Sequence, residues 1–169
     1  MNRMKKSAFC ISLLAFGLLG LHDANAGTTT AVMSVTATVT APACSSISAT
    51  SMSFAYTSGS SAVAPSTSAT VTLTCGGAFP FTLDGNGGNR PDVNGSRNMS
   101  DGVGHGLFYN VYKDAALASV FGTGIAGGTT ITGTTASPSS TVQLFGRVST
   151  PQTSPAGTYT DSVTLTLTF

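Results

Sequence analysis

The chain has 169 residues, of which only 8% are charged, and a formal net charge of +1; no basic patch for nucleic acid is available. A hydrophobic fraction of 41% argues against disorder, which goes with low hydrophobicity and high net charge. Beyond residue 26, four basic side chains (Arg90, Arg97, Lys113, Arg147) face five acidic ones (Asp84, Asp92, Asp101, Asp114, Asp161), with no Glu and a single Lys. Two common surface-helix formers are thus nearly missing while Thr, Val, Ser and Gly dominate, so an all-β domain is expected.

Residues 1–26 read as a secretory signal. Arg3, Lys5 and Lys6 form its basic start, Ala8 to Leu21 its apolar run, and Ala24-Asn25-Ala26 a small-residue cleavage site. The run is too short and wrongly flanked for a membrane anchor, and no later stretch is long and apolar enough to span a bilayer. The mature chain is expected to begin at Gly27. Residues 27–41 form an extension in which Ala31, Met33, Val35, Ala37 and Val39 alternate with Val32, Ser34, Thr36, Thr38 and Thr40. This period of two is that of a β-strand.

Residues 42–169 follow as one domain, enough for a single core. Cys10 leaves with the signal, and Cys44 and Cys75 remain as a pair in an exported chain, which favours a disulfide. Met52, Phe54 and Tyr56 predict a first core strand, and Ser58 to Ser68 a loop. Ala69, Val71, Leu73 and Cys75 predict the next strand, with Phe79, Phe81 and Leu83 after it. Pro80 on the opposite face suits an edge or bulge. Asp84 to Gly106 is a Gly- and Asn-rich excursion with a short strand around Arg97 to Met99.

Leu107, Tyr109 and Val111 alternate with Phe108, Asn110 and Tyr112, so both faces are partly apolar, as in a central strand. A weak strand is expected at Thr129 to Thr132 and a stronger one through Val142, Leu144, Gly146 and Val148. Pro151 and Pro155 punctuate the turn into the last. There Tyr159, Val163, Leu165, Leu167 and Phe169 share one face, opposite a row of Thr and Ser. Six or seven short strands separated by turns indicate an immunoglobulin-like β-sandwich, although the chain has no Trp to supply the buried one of antibody domains. Strand-capable segments at both ends suggest exchange of strands between chains.

Residues that could carry chemistry are few. His105, in GVGHG, is the sole histidine after cleavage, and no GxSxG elbow accompanies the abundant serines; a solvated loop residue is the expectation, and the chain is not read as an enzyme. Asp84-Gly85-Asn86-Gly87-Gly88-Asn89 fails the EF-hand pattern, which needs Gly at its sixth position and Glu at its twelfth, where Asn89 and Gly95 stand. It also misses the dinucleotide fingerprint. Turn chemistry explains its Asn-Gly pairs. Two cysteines and one histidine are too few for a zinc or iron site, so no metal, cofactor or small-molecule substrate is expected.

The C-terminal GTYTDSVTLTLTF, the central LFYNVYKDAA, the FTLDGNGGNR followed by RNMS, and the pair Cys44 and Cys75 together resemble the spore coat protein U domain family, which includes subunits of archaic chaperone-usher pili of the Csu type. The likeness covers nearly all of the mature chain. The resemblance implies an incomplete immunoglobulin-like sandwich lacking its last strand. Its groove would be filled first by a periplasmic chaperone and then by the N-terminal extension of the next subunit, delivered through an outer-membrane usher. It further implies Ala31, Met33, Val35, Ala37 and Val39 as the donor strand and Tyr159, Val163, Leu165, Leu167 and Phe169 as one wall of the acceptor groove, with the Phe169 carboxylate held by the chaperone. The product would be a surface fimbria supporting adhesion and biofilm formation. The alternative is a non-polymeric secreted coat or matrix protein whose N-terminal strand folds onto its own domain.

Overall fold

Val71 and Leu73 on one strand, Leu83 on the next, and Val148 and Phe121 farther along are each essentially inaccessible. All come from alternating or loop-anchored positions that the two-residue period turns inward. The computed structural model describes residues 28–40, 43–60, 62, 64, 66–92 and 94–169. It divides into two units, Met1–Thr38 and Val39–Phe169. The expected signal, residues 1–26, lies outside the described residues, as do Ala41 and Pro42 at the expected domain entry.

Eight strands are found among the described residues of the larger unit: β1 (Cys44–Ala49), β2 (Ser66–Cys75), β3 (Pro80–Gly85), β4 (Arg97–Ser100), β5 (Gly106–Tyr112), β6 (Ile131–Thr134), β7 (Ser139–Val148) and β8 (Leu165–Thr168). They form a five-stranded sheet of order β1-β2-β7-β5-β4 and a three-stranded sheet of order β6-β3-β8. Every ladder is antiparallel, and no helix occurs among the described residues. The two sheets enclose one core, as in an immunoglobulin-like β-sandwich.

The strands read from Ala69, Val71, Leu73 and Cys75, from Leu107, Tyr109 and Val111, and from Val142 to Val148 are β2, β5 and β7; β5 lies inside its sheet, between β7 and β4. Pro80 is the first residue of β3, a position that tolerates its missing amide. Cys44 and Cys75 stand opposite one another on β1 and β2 and are joined by a disulfide.

Three differences concern the edges. The expected strand at Thr129 to Thr132 is displaced to Ile131–Thr134, where it pairs with β3. The first strand is β1, and the expected strand through Met52, Phe54 and Tyr56 has inward and outward side chains in alternation but no ladder. The terminal strand is shorter than its alternation, spanning Leu165–Thr168. A ladder needs a partner backbone on at least one side, whereas side-chain alternation needs only one buried face. Residues 28–40 likewise carry no regular element, and Val32, Met33, Val35 and Val39 are 97%, 83%, 80% and 92% exposed.

Candidate functional site

Along the three-stranded sheet β8 is an edge: its register runs Thr82↔Thr168 to Gly85↔Leu165 on the β3 side, and no described strand pairs its other side. The segment leading into it crosses between sheets. Thr160 bridges Ser100 at the end of β4, with mutual backbone hydrogen bonds of 2.9 Å, before Leu165 joins β3. Tyr159, Val163, Leu165 and Leu167 are half-buried, and Tyr159, Leu165 and Leu167 pack on the core. Phe169 differs. It is 56% exposed, with its ring 5.6 Å from that of Phe79.

Residues 52–56 provide a facing wall. Met52, Phe54 and Tyr56 are half-buried against the core, and the segment presses so closely on β7 that a Cβ on Gly146 would lie 2.7 Å from Met52 Sδ and 2.8 Å from the Phe54 ring. Only glycine permits that approach. Phe54 meets Tyr109 with ring centroids 6.0 Å apart, a tilted aromatic pair.

Next to this segment lies a cleft of about 640 Å³, bordered by residues 53–58 on one side and 154–159 on the other, with Met99 and Leu107 also lining it; of the expected acceptor residues, Tyr159 alone lines it. Its mouth is fixed by Tyr56 and Tyr159 together with two residues that the alternation did not single out, Gln152 and Ser154. The Tyr56 hydroxyl donates to the Gln152 carbonyl at 2.7 Å and accepts from the Gln152 amide at 2.6 Å. The Gln152 side chain in turn accepts from Phe108 N–H and donates to the Phe108 and Ser149 carbonyls. Ser154 donates to Gly106 O at 2.6 Å, and the Tyr159 hydroxyl donates to Pro155 O at 2.8 Å. Partial burial, and then the Asp101 charge, raise the Tyr159 hydroxyl above its ordinary value. Gln152 follows Pro151 in a segment without periodicity, so only its position after a proline turn marks it in the sequence.

The groups weighed for chemistry are engaged elsewhere. His105 Nδ1 meets Asp101 Oδ2 at 2.5 Å in an exposed loop, and Asp101 Oδ1 also accepts from the Val103 and His105 amides. The Asp84 carboxylate accepts from Gly85 N–H, Thr123 N–H and Thr123 Oγ1. The Thr123 hydroxyl first, against a smaller opposing effect of burial, holds Asp84 below the usual carboxylate range. Asn86 Oδ1 accepts from the Gly88 and Thr164 amides. The Gly-rich loop directs its oxygens into the protein's own backbone, and no group of three or more metal-ligating side chains occurs among the described residues.

The spore coat protein U domain model matches residues 29–166. The chain belongs to the spore coat protein U domain family. Among solved structures, this spore coat protein U domain is similar to a chain in the crystal structure of the CsuC–CsuE chaperone–tip adhesion subunit pre-assembly complex from the archaic chaperone-usher Csu pili of Acinetobacter baumannii. The TM-score is 0.56 at 19% identity, over 76% of this chain and 40% of that one. This chain therefore spans well under half of that chain, and the likeness is one of fold. No curated protein matches.

Proposed function

We propose that this spore coat protein U domain is a non-enzymatic structural subunit of an archaic chaperone-usher pilus, polymerising by donor-strand complementation. Two observations carry the reading: a backbone edge on β8 that is unpaired among the described residues, and a cleft at residues 53–58 and 154–159, beside the segment that leads into that edge, with Phe54, Tyr56, Met99, Leu107 and Tyr159 among its lining. An edge of this kind invites an added strand, with main-chain hydrogen bonds giving affinity and alternate side chains filling the cleft. The occupant in the fibre is the 27–41 extension of the next subunit, inserting Ala31, Met33, Val35, Ala37 and Val39. Before assembly it is a strand of a periplasmic chaperone, which also holds the Phe169 carboxylate.

Membership of the family and the likeness of fold to a chain of a chaperone–subunit complex support this reading. Burying the donor's alternate side chains would contribute on the order of 5–10 kcal/mol before ordering costs, with the alanines giving least. The contact is head to tail and does not close on itself, so it yields filaments. The subunit would cross the periplasm, leave through an outer-membrane usher and act at the surface as a fimbria in adhesion and biofilm formation. Deleting residues 28–39 tests this: the truncated subunit is expected to co-purify with its chaperone but to form no fibres. Fibres from the truncated chain would overturn the donor assignment.

A further inference from the structure

Four stretches of the sequence, RNMS, DGNGGN, GTYTDS and LFYNVY, meet at one place. Arg97, from RNMS, is completely buried, although a buried guanidinium is costly unless its donors are engaged. Its Nε and Nη2 donate to Asn86 O at 3.2 and 2.8 Å, and Nη2 also donates to Phe121 O at 2.9 Å. Nη1 finds no hydrogen-bond partner among the described residues. Asn86, from DGNGGN, is thereby fixed, and it grips the chain on its other side. Its amide donates to Thr164 O at 3.0 Å, and its Oδ1 accepts from Thr164 N–H at 2.9 Å.

Asp161, from GTYTDS, occupies the inward parity between Tyr159 and Val163, where every other odd position is apolar. It accepts from the hydroxyl of Tyr109, in LFYNVY, at 2.7 Å and from Asn89 N–H at 2.7 Å. Gly88, at φ +79°, leaves the room this requires, since a Cβ there would lie almost on Asp161 Oδ2.

These bonds fall on a particular stretch. Residues 161–164 belong to no ladder: they lie between the Thr160 bridge to β4 and the start of β8 at Leu165. Without another constraint, the backbone leading into the free edge would be held only at its two ends. The geometry points to Arg97, Asn86, Tyr109 and Asp161 as a polar clamp that fixes residues 160–164 and so sets the position and register of the β8 edge before any strand is added to it. They are positioning residues, and their role in strand uptake rests on the donor-strand reading above. Binding that needs no prior ordering of the acceptor avoids the cost of immobilising it. The clamp therefore acts on the rate of strand capture in addition to its contribution to the stability of the sandwich. Burial lowers the Arg97 guanidinium's proton affinity, against the smaller opposing effects of the nearby Tyr109, Asp161 and Asp84.

The test uses the full chain, Tyr109→Phe and Asp161→Asn, with two readouts. Residue-resolved hydrogen exchange is expected to show amides 162–168 exchanging roughly tenfold or more faster in both variants, the scale of one lost hydrogen bond to a charged group, over and above any common rise shared with β2 and β7. A fluorescein-labelled peptide of residues 28–40 is expected to associate roughly tenfold more slowly with the variants for the same reason. Unchanged exchange at 162–168, or a uniform rise across all strands, overturns the clamp whatever the peptide does. Equal peptide association by wild type and variants also overturns it while leaving the donor reading intact. Failure of the wild type to take up peptide, with selective exchange still seen, sinks the donor reading and keeps the clamp as a determinant of edge order.

Discussion

Gly88→Ala puts the clamp on an energy scale. The substitution has two separable costs. A non-glycine residue at φ +79° carries the left-handed penalty of about 1–2 kcal/mol. The new Cβ must also displace the Asp161 carboxylate, which it would otherwise overlap. Displacement strips the Tyr109 hydroxyl and Asn89 N–H of their acceptor, and an unsatisfied buried polar group costs about 1–3 kcal/mol.

Tyr109 is buried, so its loss is felt nearly in full, whereas Asn89 is exposed and can turn to water. The expected total is roughly 3–5 kcal/mol. Gly102→Ala is the control, because Gly102 has φ +84° with nothing within 4 Å of its Cβ position, leaving the backbone penalty alone. Urea unfolding of the purified chain followed by tyrosine fluorescence measures both. A gap of about 2–3 kcal/mol between the two variants is expected. Equal destabilisation would refute the reasoning, since Asp161 would then contribute nothing through its contacts.

Replacing Val35 and Val39 together with Asp should stop fibre growth, because seating them would bury two unpaired carboxylates; normal fibres on electron micrographs would count against the donor face. Substituting Ser for both Cys44 and Cys75, whose separation is 31 residues, should lower unfolding stability by about 3–4 kcal/mol in the chain-entropy view, and a loss well under 1 kcal/mol by urea titration would contradict it. Asp84 titrates below its ordinary value in the fold, so its contribution is full above the unfolded carboxylate range and fades as the pH falls through the folded value. Thr123→Val removes the largest cause and should flatten the acid side of the stability–pH curve. Parallel curves for wild type and variant would show that the Thr123 hydroxyl does not set it.

What the sequence made legible follows from the kind of signal each element emits. β2 from Ala69 to Cys75 and β7 from Val142 to Val148 alternate with mostly apolar side chains inward, and β5 does so with both faces partly apolar, so period and burial agree there, while Ser66 to Ser68, read as loop, join β2 by pairing with β7. Met52, Phe54 and Tyr56 emit the same signal, yet form no ladder, because alternation reports a buried face and is silent about a backbone partner. β6 shifted by two residues since its Thr and Gly side chains give weak alternation.

The inward parity of Tyr159, Val163, Leu165 and Leu167 is legible as partial burial, while Phe169 is an exposed partner of Phe79. Arg97 was not readable as a core residue, because a lone arginine in a loop-rich stretch looks like a solvated charge. Asp161 was passed over for the complementary reason that the apolar residues around it dominate the pattern. Its parity was the available clue. The Gly-Asn loop reads as turn chemistry, but its fixing depends on a carboxylate more than seventy residues away, a contact that no local pattern encodes.

The central claim, that the cleft receives the extension of another copy, is tested most directly by a covalent trap. The full chain carrying Val35→Cys with Leu165→Cys, assembled under mild oxidation and run on a non-reducing gel, should give a ladder of multimers that collapses to monomer on reduction. Cross-linking confined to a faster-migrating monomer would mean that each chain fills its own cleft, as a non-polymeric coat or matrix protein would.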